Sequence, residues 1–186
     1  MPLWPSQIIP NDFADTFYLP NTEWWYQQTG RAPIETSAAW TTANKAVYTP
    51  VVVRGMSKPS GIAVYNGATA AGILQVGLYA VDSEGKPGAR LMASPPTPQV
   101  AADVGRFTDV NFDDVGKWAG PGVYYLACVF DGVTGTVTRL AALTTDQSGP
   151  IMGGIFTQAT AFPLPAVATP DGAGVAFNVP ILVMFG

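Results

Sequence analysis

The stretch LQVGLYAVD (74–82), SEGKPG (83–88), ARLMAS (89–94) decides the fold class. Its first run alternates. Leu74, Val76, Leu78 and Ala80 fall on one side of an extended chain, and Gln75, Gly77, Tyr79 and Val81 on the other. Successive side chains of a strand point to opposite faces, so a period of two is the mark of β structure. The turn formers of 83–88 follow, then a second run. Two such runs around a Gly/Pro loop predict a β-hairpin.

Outward from the hairpin the same grammar repeats. VYYLACVF (123–130) is apolar at every position, as expected of a central strand covered on both faces, and WAGPG (118–122) is its lead-in turn. VVVRGM (51–56) and GIAVYNG (61–67) are β-branched runs separated by the turn cluster SKPS. GRFTDVNF (105–112) alternates, TGTVTRLAAL (134–143) is a further strand candidate, and NVPILVMF (178–185) closes the chain. Pro180 marks an edge position or the start of pairing. No stretch keeps a helical period over three turns, and no internal repeat indicates a solenoid or propeller. About eight short strands with turns between them predict an all-β, antiparallel β-sandwich with jelly-roll or Greek-key topology.

Residues 1–40 differ from the sandwich domain expected over 41–186. Pro2, Pro5, Pro10, Pro20 and Pro33 interrupt any helix, and Trp4, Phe13, Phe17, Tyr18, Trp24, Trp25 and Tyr26 crowd the same stretch. The reading is an extended N-terminal arm whose aromatics lie on a surface, its own or a neighbour's. Attachment and oligomer contacts are expected there.

Composition excludes several functions. Hydrophobic residues make up 48% and charged residues 12%, about half the usual ~25% charged share. Such a chain can build a large core and leave apolar surface for a partner. The net charge is −4, and the nine Lys and Arg are scattered from Arg31 to Arg139. No basic stripe serves a phosphate backbone or an anionic membrane, so neither nucleic acid nor membrane is an expected partner. The longest C-terminal apolar stretch, 181–185, is far short of the ~20 residues of a spanning helix. The first twenty residues lack the features of a signal peptide, so the protein is expected to be made and kept in a cytoplasm until it assembles. The one cysteine, Cys128, reads as a small buried hydrophobe.

Chemistry is scarce. The chain has no histidine, which removes Ser-His-Asp and Cys-His sites, the commonest general base and most zinc sites. Neither a P-loop nor a GxGxxG turn is present, and Lys58 and Lys86 read as solvated turn residues. The adjacent Asp113 and Asp114 would point to opposite faces of a strand. Glu23 and Glu35 belong to the arm, leaving only a cross-strand carboxylate pair as a hydrolase reading. Asp109, Asp113 and Asp114 could offer oxygens to calcium, but DVNFDDVG is no EF-hand and reads better as a solvated loop. No enzyme, cofactor or metal is therefore expected. The remaining handle is aromatic. Trp24, Trp25, Tyr26, Trp40 and Trp118 are candidates for stacking on a sugar or for a subunit interface, where aromatics are enriched. Trp118, just ahead of a central strand, could instead plug one end of the core.

Several stretches resemble structural proteins of tailed bacteriophages. LQVGLYAVDSEGKPGARL (74–91) is similar to a hairpin of those proteins with an R-hydrophobic-G-I-Y run, a polar turn and G-x-P-G-x-L. GPGVYYLACVFDG (120–132) resembles their G-x-Y-W-L-A-x-x-F strand, and ANKAVYTPVVV (43–53) the A-N-x-x-Y-x-x-P lead into the first strand. FPLPAVATP (162–170) and VPILVMF (179–185) resemble their L-P-A-x-x-P segment and last strand. The resemblance covers roughly residues 43–186 and lies in pattern and order. It implies a non-enzymatic virion component of tail fibre, baseplate or head-decoration type, with no catalytic residues to carry over. Other virion proteins and further copies of the chain are then the expected partners, a trimer being the favoured oligomer and the virion its location. A carbohydrate-binding module, recognising a host surface glycan through exposed Trp or Tyr, is the alternative.

Overall fold

β-branched and aromatic residues in short alternating runs form thirteen strands in a computed structural model, which describes residues 17–18, 35–53, 55–100, 107–113, 116–140, 155–173 and 180–186. In chain order they are β1 (Phe17–Tyr18), β2 (Glu35–Ala39), β3 (Ala46–Val53), β4 (Gly61–Tyr65), β5 (Ile73–Val81), β6 (Pro87–Ala93), β7 (Thr97–Pro98), β8 (Phe107–Asn111), β9 (Gly122–Phe130), β10 (Thr136–Leu140), β11 (Phe156–Gln158), β12 (Gly172–Ala173) and β13 (Leu182–Phe185). No helix occurs among the described residues.

The larger sheet runs β12-β11-β3-β9-β5-β6, with β7 paired to β5. The smaller runs β1-β13-β4-β8, and β10-β2 forms a separate ribbon. Every strand pair is antiparallel. Eight strands pair in a nested scheme: β1 with β13, β3 with β9, β4 with β8, and β5 with β6. The expected hairpin is β5–β6, its register broken around Tyr79. In its loop Asp82 Oδ1 accepts from the amides of Glu84 and Lys86, both at 2.8 Å, and Gly85 takes φ +82°. Only glycine adopts that left-handed turn without steric cost.

The sandwich core lies between the sheets. Val47, Val51 and Val53 of β3, Leu74, Val76 and Leu78 of β5, and Leu126, Cys128 and Phe130 of β9 meet Ile62, Val64, Val110, Leu182 and Met184 of the smaller sheet. Cys128 is the buried hydrophobe its context predicts. Pro50 sits within β3, where β11 no longer pairs, since β11 reaches only Ala46, Val47 and Tyr48. A proline without an amide donor is tolerated at such an edge. Pro180 bridges to Arg139 ahead of β13, at the start of pairing.

Thr49 is buried in β3, and its Oγ1 has no hydrogen-bond partner among the described residues. A buried hydroxyl left unpaired costs free energy that an isosteric methyl does not. Thr49→Val is therefore expected to raise stability by about 1 kcal/mol, seen as a higher denaturation midpoint with an unchanged m-value.

Of residues 1–40, those described join the sheets. β1 pairs with β13 and β2 with β10. The rest of the arm, including Trp24, Trp25 and Tyr26, lies outside the described residues.

Candidate interaction surface

The other face of β9 is covered as well. Tyr48, Tyr79, Tyr125, Ala127 and Val129 form a second apolar cluster on the outer face of the larger sheet. Residues 159–171, which leave the sheet after β11 and return at β12, lie across it with Ala161, Leu164 and Ala168 buried. This strap contains the whole of the Pro-rich stretch 162–170.

Polar atoms tie it down. The Tyr79 hydroxyl donates to the Pro165 carbonyl at 2.7 Å, and the Arg90 guanidinium donates to the Leu164 carbonyl. Gln75 accepts from the Leu164 amide at 2.7 Å and donates to the Ser94 carbonyl at 2.7 Å. The Tyr48 hydroxyl donates to Gln158 Oε1 at 2.9 Å, which also accepts from the Thr169 amide at 2.9 Å. Past β5 the strap bonds the edge of β6. The Arg90 amide donates to the Ala166 carbonyl and the Ala168 amide to the Gly88 carbonyl, each at 2.8 Å.

Burial pushes the Tyr48 and Tyr79 hydroxyls above the ordinary tyrosine range; the neighbouring Tyr79 adds to the rise at Tyr48, and Arg90 opposes it at Tyr79. The folded state thus holds these protons more tightly than the unfolded chain. The stability linked to them is intact below the unfolded tyrosine pKa of about 10 and falls as pH rises beyond it. A loss approaching ~1.4 kcal/mol per pH unit for each of the two hydroxyls is expected above that point, and denaturation midpoints measured between pH 8 and 11 would show it.

The sequence-derived aromatic candidates divide. Trp40 is a correction: only 3% exposed, it packs on Phe130 with ring centroids 4.9 Å apart and donates Nε1–H to the Lys45 carbonyl at 3.0 Å. A ring closed into the core offers no face to a sugar. Trp118 is 63% exposed, so it does not plug the core. Met56 and Trp118 flank the bridge between Ser57 and Ala119, and both are exposed. Val52 and Val123 face each other across β3 and β9 on the outer face, also exposed. This end of the larger sheet therefore carries four exposed apolar side chains. Neither 51–53 nor 123–130 alternates, so only the register of β3 on β9 brings Val52 and Val123 together, and Met56 gave no periodic signal. Trp24, Trp25 and Tyr26 lie outside the described residues.

Lys58 and Lys86 are exposed, as their turns predict, and Lys86 pairs with exposed Glu84 at 2.8 Å. Asp109 and Asp113 are exposed, while Asp114 lies outside the described residues. Among the described residues no three His, Cys, Asp or Glu gather to hold a metal ion, and no helix is long and apolar enough to cross a membrane. No family model matches the chain, and no curated protein and no solved structure matches it.

Proposed function

We propose that this chain is a non-enzymatic structural subunit of a bacteriophage particle, either a capsid decoration or a tail or fibre subunit, built on a jelly roll. The observation that carries the reading is the nested pairing of eight strands. Numbered one to eight in chain order, β1, β3, β4, β5, β6, β8, β9 and β13 lie in two sheets as 1-8-3-6 and 2-7-4-5. This order supports the jelly-roll reading, in which one long hairpin is rolled into a sandwich, a topology used by viral capsid and lectin domains. Fold alone does not choose a function. The phage resemblance supplies the choice; its five segments correspond in chain order to β3, the β5–β6 hairpin, β9, the strap and β13. Low charge and the apolar end of the larger sheet support assembly with other virion proteins and with copies of the chain. The aromatics of the arm supply further contacts.

Complementation tests the reading. In a lysate lacking the gene, the supplied wild-type chain is expected in gradient-purified particles. A triple variant, Trp24→Ala with Trp25→Ala and Tyr26→Ala, is expected there at a level tenfold lower or less, as loss of aromatic anchors worth about 2 kcal/mol or more implies. Equal incorporation removes the arm from the account, and absence of the wild-type chain removes the particle role.

Exposed Trp118 favours a second reading, stacking on a host surface glycan. Trp118→Ala is expected to change stability by no more than about 0.5 kcal/mol, as at other exposed sites. On a glycan array it is expected to lose the wild-type signal. A silent wild-type protein, or a variant that binds as well, counts against this reading.

A further inference from the structure

The nested eight strands do not include the strap. Its ends are held together where Phe156 and Thr157 of β11 face Ala173 and Gly172 of β12, and the Asp171 amide donates to the Thr157 carbonyl at 3.0 Å. Between them the chain leaves β11, crosses the tyrosine face and reaches β6, where Val167 bridges Ala89. At its first leg Thr160 takes φ +53°, a left-handed conformation that β-branched side chains disfavour. The next residue, Ala161, donates its amide to the carbonyl of Asn44, itself at φ +60°.

We propose that residues 159–171 are an exchangeable strap, which in an oligomer lies on the larger sheet of a second copy of this chain. Apart from the Thr157 carbonyl at its base, the acceptors and donors it uses belong to Asn44, Gln75, Tyr79, Gly88, Arg90 and Gln158, and every copy presents the same set. Exchange therefore conserves these bonds and the burial of Leu164, which is why swapped elements join identical chains at low cost. Swinging outward frees Thr160 from its left-handed turn, and that release favours the exchanged form. The jelly-roll pairing is left intact in both copies. The inference concerns the purified chain, so its failure would leave the particle role standing.

Single cysteines test it. Ala89 and Val167 are both exposed, and bridge partners place their Cα atoms about 4.5–5.5 Å apart, within reach of a disulfide. A chain carrying Ala89→Cys and one carrying Val167→Cys are unfolded together, refolded concentrated with reductant, then oxidised. Non-reducing electrophoresis is expected to show the mixed dimer well above either homodimer. A single chain carrying both substitutions, refolded dilute, is expected to close within itself. An internal link at every concentration, with no mixed dimer, overturns exchange. Absence of any link overturns the pairing of the strap with β6, and the proposal with it. Thr160→Gly is expected to lower the mixed dimer roughly tenfold; an undiminished yield overturns the role of the hinge.

Discussion

Trp40→Ala should destabilise the protein by about 3–5 kcal/mol, the range for truncating a buried large aromatic. The indole is 3% exposed, packs at a tilt on Phe130 of the central strand and spends its one donor on the Lys45 carbonyl. Its backbone amide also donates to Gly135 at 3.1 Å, tying the end of β2 to the chain just before β10. Truncation leaves a cavity against Phe130 and an unpaired carbonyl together. Chemical denaturation measures the loss. A change no larger than that of Trp118→Ala would contradict the placement of Trp40 in the core.

Leu164→Ala is the second large effect. Leu164 is the largest buried apolar side chain of the strap, and it packs over Gly77 on β5. Losing three buried carbons costs about 2–5 kcal/mol in a site that cannot collapse. The lower end is expected here, because the strap can settle onto a smaller side chain more easily than a strand can. Val167→Ala, at an exposed position of the same segment, is expected to stay within about 0.5 kcal/mol. Equal effects of the two substitutions would mean that the strap does not seal the outer face.

Where the sequence carried a period, it foretold structure well. Leu74, Val76 and Leu78 face the inter-sheet core, while Tyr79 and Val81 face the strap side, the division that alternation predicts. The apolar run 123–130 is the central strand, covered by the smaller sheet on one side and the strap on the other. β7, β11 and β12 were not legible, because strands of two or three residues carry no period and exist only through their partners. The strap itself has no pattern of its own; its backbone is satisfied by Gln75, Tyr79 and Arg90, far away in sequence.

The tryptophans show the same boundary between local and distant information. Aromatic content marked Trp40 and Trp118 equally, yet one is core and the other surface. What separates them is a contact ninety positions down the chain, between Trp40 and Phe130, and composition cannot express it. Gln75 is the converse case. A polar residue in a strand reads as solvent-facing, but this carboxamide is buried beneath the strap with both its nitrogen and its oxygen hydrogen-bonded.

The proposed role is that of a β-sandwich subunit working as part of a phage particle. The most direct measurement is mass spectrometry of density-gradient-purified particles from a lysate in which the gene is expressed from its own locus. Peptides of this chain are expected to band with the particles in a fixed ratio to the other structural proteins, retained through high-salt washing. Their confinement to the unassembled protein fraction, with none in the particle band, would contradict it.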